Sequence, residues 1–176
     1  MIERTLVLLK PDAIDRKLTG KIISRFEEEG FKIIAMKMQK VDKKFSEKHY
    51  AATDEQIIGM GKKTLDATGN EAKKLFDTDD PRKLGEMLRK WSINFISSAP
   101  VIAMVLERED AIAYARRVGG FTDPSKADKG TIRHDFGQDS ILKANRERRA
   151  TENLVHLSGN KEEAGKEIKL WFGNIY

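Results

Sequence analysis

Four stretches of the chain are patterned as strands. Residues 5–9 form a continuous apolar run ending in Lys10-Pro11-Asp12, which predicts a strand buried on both faces with a lysine at its end. In 31–41, Ile and Met alternate with Lys, predicting a strand with one wet face. VIAMVL at 101–106 is dense enough in apolar residues to be buried on both faces. The fourth run, 153–157, delivers His156 to a tight turn at Ser158-Gly159. Between them, 19–29 places Ile22, Ile23 and Phe26 on one helical face and stops at Gly30, and 45–52 predicts a short helix carrying His49 and Tyr50. The polar stretch 53–94 predicts helices at 70–76 and 81–96, the second with Pro81 in its first turn and Asp79 or Asp80 as its cap. A helix over 110–118 turns Ile112 and Ala115 inward, carries Arg116 and Arg117 near its end and closes at Gly119-Gly120. In the last helix Ala164, Ile168, Trp171 and Phe172 form the core-facing stripe, and Asn160 with Glu163 resembles a capping box. Residues 121–149 hold few aliphatics and many Gly, Asp, Lys and Arg, the pattern of a long surface excursion. The order predicts two βαβ-like halves in one domain over 1–176: a ferredoxin-like α/β sandwich, with helices packed on one face of a four-stranded antiparallel sheet.

Composition narrows the chemistry. With 176 residues, 39% of them hydrophobic, the chain can bury roughly 70% of its unfolded surface in one core. Basic side chains outnumber acidic ones 33 to 28, and the net charge of +5 favours an anionic ligand. The absence of cysteine excludes disulfides and thiolate metal sites, and His49, His134 and His156 are scattered without metal-ligand spacing, so no resident metal is expected. The N-terminal apolar run is too short for a signal peptide, and 95–106 is interrupted by Ser97, Ser98 and Pro100. A cytoplasmic protein without a membrane partner is expected.

His156 falls where a strand ends and a helix begins. Glu163 and Glu167 share a face of that helix, and a carboxylate returning from it would hold one imidazole nitrogen protonated and leave the other lone pair free to attack. Lys10, Tyr50, Arg116, Thr122, Arg133 and Asn153 also fall at element ends. They supply three cations, two hydroxyls and an amide, the equipment for holding a triphosphate beside a nucleophile. Neither GxxxxGK[ST] nor GxGxxG occurs, so a P-loop or Rossmann site is not indicated.

The segments RTLVLLKPDAIDRKLTGKIISRFEEEGFKIIAMKM, EKHY, PVIAMVLERED, RRVGGFTDPSKADKGTIRHDFG and ENLVHLSGNKEEAGKEIKLWF resemble nucleoside diphosphate kinases in order and spacing, over most of the chain. The resemblance implies that His156 takes the terminal phosphate of a nucleoside triphosphate and passes it to a nucleoside diphosphate by ping-pong. It implies that Glu167 orients the imidazole with Ser158 beside it, and that Lys10, Tyr50, Arg116, Thr122, Arg133 and Asn153 contact the nucleotide. Mg²⁺ is then carried by the nucleotide phosphates, and a homo-oligomer is expected. Three departures stand out. The family's glycine after the histidine is Leu157, the acidic residue after the serine is Gly159, and the aromatic clamp for the base falls near Ile57 or Ile58, with Ala150 at the other wall. Insertions at about 53–94 and 137–151 lie beside the implied contacts and suggest a lid, and the chain stops soon after WFGNIY, short of the family's longer tails. The basic run 143–149 leaves nucleic-acid binding as the alternative, though few aromatics accompany it.

Overall fold

The computed structural model describes residues 1–69 and 72–174; the start of the helix predicted from Asn70, and the end of WFGNIY, lie outside them. Strands β1 (Ile2–Leu9), β2 (Lys32–Gln39), β3 (Val101–Glu109) and β4 (Val155–Leu157) pair antiparallel in the order β2-β3-β1-β4. The helices in chain order are α1 (Pro11–Asp15), α2 (Thr19–Glu28), α3 (Lys43–His49), α4 (Asp54–Thr68), α5 (Ala72–Phe76), α6 (Pro81–Ser98), α7 (Ala111–Gly119), α8 (Ile132–Phe136), α9 (Ile141–Arg146) and α10 (Lys161–Phe172). This is the ferredoxin-like topology predicted from the pattern.

The sheet is covered on both faces. Val7, Leu9, Ile102, Met104 and Leu106 face one side, against Ile22 and Phe26 of α2 and Ala115 and Val118 of α7. Leu6, Leu8, Val101 and Ala103 face the other, against Ile96 of α6 and Trp171 of α10. Helices on one face only, as predicted, would leave half of each central strand in water; the continuous apolar runs of β1 and β3 require the second layer. Edge strand β2 departs as well. Its register shifts between Ile33 and Ala35, and Met36 and Met38 emerge 52% and 60% exposed, so the wet face is not left to the lysines.

Helices α4 and α6 form a hairpin. The sequence pattern does not predict α4, because Gly59 and Gly61 dilute its apolar stripe. A capping box closes its start, in which Gln56 N–H donates to the Thr53 hydroxyl and Thr53 N–H to the Gln56 side chain. The glycines serve contact: a Cβ at Gly61 would strike the Pro81 carbonyl, and one at Gly85 of α6 the Ile57 carbonyl. Asp80, one of the two predicted caps, accepts from Arg82 N–H at the start of α6. Phe76 and Leu84, with Leu65, Leu75, Met87, Leu88 and Trp91, form a third apolar cluster within the hairpin. The short helices α1, α8 and α9 also go unpredicted, each being too brief to show a period.

Candidate active site

Strand β4 mounts His156 by simple alternation. Val155 and Leu157 point into the α2–α7 layer, and His156, paired with Leu8, points to the opposite face. Leu157 therefore packs against Gly119 and stays clear of the imidazole, which removes the crowding that its place after the histidine suggests. Beyond the strand, Ser158 N–H donates to the Leu6 carbonyl (3.3 Å) and its hydroxyl oxygen accepts from Leu6 N–H (3.2 Å). The two glutamates of α10 divide their tasks. Glu163 accepts from Gly159 N–H (2.8 Å) and from the Asn160 amide, while its own N–H donates to Asn160 Oδ1, so it is committed to capping the helix. Glu167, one turn on, brings Oε1 to 2.7 Å from His156 Nε2, and its Oε2 accepts from the Ser158 hydroxyl at 2.5 Å. A carboxylate against Nε2 places the ring hydrogen there, and Nδ1 makes no hydrogen bond among the described residues.

The cationic groups gather along the approach to β4. Lys10 Nζ donates to Asn153 Oδ1 (2.8 Å), and Asn153 Nδ2 donates to the Thr122 carbonyl (2.8 Å), linking three of the predicted contact residues. Burial, with the Arg133 charge beside it and Asp12 opposing, lowers the Lys10 ammonium to about 8. Arg133 is buried and donates to the carbonyls of Asn153, Gly120 and Val155, which uses three of its five N–H groups and leaves two. Burial, with the Arg116 charge near it, lowers Arg133 to about 10, still charged at neutral pH. Arg116 itself is exposed on the last turn of α7, beside a depression walled by Gly159 and Lys161. Between these groups Leu154 holds a left-handed backbone (φ 69°). Its N–H donates to Asp12 (2.9 Å) and its carbonyl accepts from Lys10 N–H (2.8 Å), so the strained residue two before His156 is pinned on both sides.

Around the imidazole stand the predicted Tyr50 and residues that the sequence did not single out. The His49 ring lies 4.5 Å from the His156 ring at 78°, and Tyr50 lies 6.3 Å away at 82°. Trp171 Nε1 donates to His49 Nδ1 (3.2 Å), and burial holds His49 well below its ordinary range. Tyr50 is pushed far above the usual phenol range by burial, with Glu167 adding, so it stays a neutral donor. Arg89 of α6 donates to the Tyr50 and Glu47 carbonyls and fixes the end of α3. A cavity of about 580 Å³ reaches His156 between α4 and α10; its α4 wall is Gln56, Gly59, Met60 and Lys63, instead of the predicted Ile57 or Ile58. His49 was legible only as the neighbour of Tyr50 in EKHY; Arg89 carried no signal.

Although distant in sequence, His49, His156 and Glu167 bring one donor atom each within 4.8 Å of one another. They form the group among the described residues able to hold an ion. Their atoms are engaged with one another and with Trp171, and two imidazoles suit Zn²⁺ better than Mg²⁺, which prefers oxygen.

Comparison with known proteins agrees with this geometry. The sequence model of the family described as nucleoside diphosphate kinase matches residues 3–58 and 57–175, meeting inside α4. A nucleoside diphosphate kinase of Pyrobaculum aerophilum is 40% identical over 174 residues, covering 97% of this chain and 95% of that protein. A crystal structure of an NDP kinase from the same organism superposes with a TM-score of 0.93 at 38% identity, covering 98% of this chain and 96% of that one. The Borrelia burgdorferi enzyme, solved as a transition-state mimic with vanadate and ADP, gives 0.77 at 33% identity over 97% of this chain and 87% of its own.

Proposed function

We infer that this chain, which belongs to the nucleoside diphosphate kinase family, moves the terminal phosphoryl group of a nucleoside triphosphate to a nucleoside diphosphate through His156. The observation that carries the reading is the 2.7 Å contact of Glu167 with Nε2, which leaves Nδ1 as the nucleophile. In the first half-reaction the Nδ1 lone pair forms an N–P bond while the bond from phosphorus to the bridging oxygen breaks, releasing a nucleoside diphosphate. A second diphosphate then attacks the phosphohistidine and restores the imidazole. Glu167, braced by Ser158, balances charge on the ring. Lys10, Arg116 and the two remaining N–H groups of Arg133 meet the phosphate oxygens, with the Tyr50 phenol, Thr122 and Asn153 as neutral donors. Mg²⁺ arrives as part of the nucleotide substrate, bound to its phosphate oxygens.

The whole chain works as one domain, with 53–94 and 137–151 as additions to it. Self-association into a homo-oligomer is supported by edge strand β2 with its exposed Met36 and Met38. A cytoplasmic location accords with the described residues, in which no helix is long and apolar enough to cross a membrane. Nucleic-acid binding through 143–149 is disfavoured, because Arg149 pairs with Asp139 and Glu147, and Arg148 donates to the Leu75 carbonyl.

Intact-mass measurement tests the reading. One phosphate per chain is expected after mixing with Mg²⁺-ATP, lost on adding GDP and absent in His156→Ala. A His156→Ala protein with full turnover would sink it.

A further inference from the structure

The hydrogen bond to Glu167 restrains His156 through one atom only, and the last torsion of a histidine is soft, with a broad energy profile. Left to that bond, the ring plane can swing about Nε2 and carry Nδ1 off line. What removes the swing is the His49 ring, edge to face at 4.5 Å and 78°. His49 is itself held by α10, which carries both Glu167 and Trp171, four residues apart on one face of the helix. Trp171 N–H donates to His49 Nδ1, which places the His49 hydrogen on Nε2 and occupies the lone pair that would otherwise take a proton. That matters because His49 Nδ1 lies 4.0 Å from Glu167 Oε1: a protonated His49 would compete with His156 for the one carboxylate that orients it. The ionisable groups facing His49 are His156 of β4, Tyr50, Lys10 and Glu167 of α10, with Glu163 of α10 on the same cavity but committed to capping its helix.

We propose that His49 is a positioning residue for phosphotransfer: locked in its neutral Nε2–H form by the Trp171 indole, its ring is the wall that sets the His156 imidazole for attack through Nδ1. The inference rests on the reading of His156 as nucleophile. It assigns α10 two arms on that histidine, a direct one through Glu167 and an indirect one through Trp171 and His49.

The test is rapid-quench measurement of phosphohistidine formation with Mg²⁺-ATP in wild type, His49→Ala and Trp171→Phe, with ATP affinity measured separately. Trp171→Phe keeps an aromatic ring in the core while deleting the N–H and part of the indole's volume, a smaller loss of packing than a change to Ala, so it serves should His49→Ala fold poorly. Both variants are expected to phosphorylate the same histidine about ten- to a hundredfold more slowly, with ATP affinity unchanged. Side-chain ¹H–¹⁵N spectra should show His156 as one tautomer in wild type and as a mixture in the variants. Wild-type rates in both variants, or a loss of rate matched by an equal loss of affinity, would overturn the proposal while leaving the phosphohistidine reading intact. No phosphohistidine in the wild type would overturn both.

Discussion

At the scale of single residues, the site depends on how each polar atom is committed. The Ser158 hydroxyl is the partner of Glu167 Oε2 in a buried position, so Ser158→Ala strands a carboxylate oxygen. A loss of about 1–3 kcal/mol in urea unfolding is expected. Arg116 is exposed and its side chain makes no hydrogen bond among the described residues, in contrast to Arg133; Arg116→Ala should leave stability unchanged and lower turnover about a hundredfold in steady-state assays. Lys10 gives the site a pH dependence. With its ammonium lowered to about 8, the charge that attracts phosphate is present below that pH and lost above it. Nucleotide affinity, measured by calorimetry, should therefore fall between pH 7 and 9, with proton uptake on binding at the upper end, and Lys10→Met should flatten the profile. His156 and Lys10 were legible in the sequence because each sits at a predictable element end, and Glu167 because it lies on a helix face that returns toward the histidine. His49 was not, because its part is set by Trp171, which a periodicity argument assigns wholly to the core.

Among the elements, the hairpin of α4 and α6 is the most informative. Glycines at 61 and 85 look like helix breakers in the sequence, yet each lets one backbone touch the other helix, and neither contact tolerates a methyl group. Gly61→Ala and Gly85→Ala are expected to destabilise the protein by about 1–3 kcal/mol in thermal unfolding. Because α4 walls the cavity beside His156, both should also raise the KM for nucleotide more than they lower kcat. The same contrast explains what could be read in advance. β1 and β3 announce themselves because burial on two faces demands unbroken apolar runs, and β4 because its turn follows at once. α4 stays hidden because it is stabilised by a cap and by backbone contact, neither of which writes a hydrophobic period.

For the molecule as a whole, edge strand β2 presents Met36 and Met38 to solvent at the rim of the sheet. Replacing both with Lys should shift the protein toward smaller species in light scattering while leaving the fold, read by circular dichroism, unchanged. Among the described residues three clusters of buried apolar side chains form, and two of them include the sheet. The third, around Phe76 and Leu84, lies within the helical hairpin, so the hairpin's outer end is expected to open while β4 and its histidine stay folded. In amide hydrogen exchange this would appear as two protection levels. Such opening would widen the way out for a departing nucleotide without disturbing the group proposed to hold the phosphate.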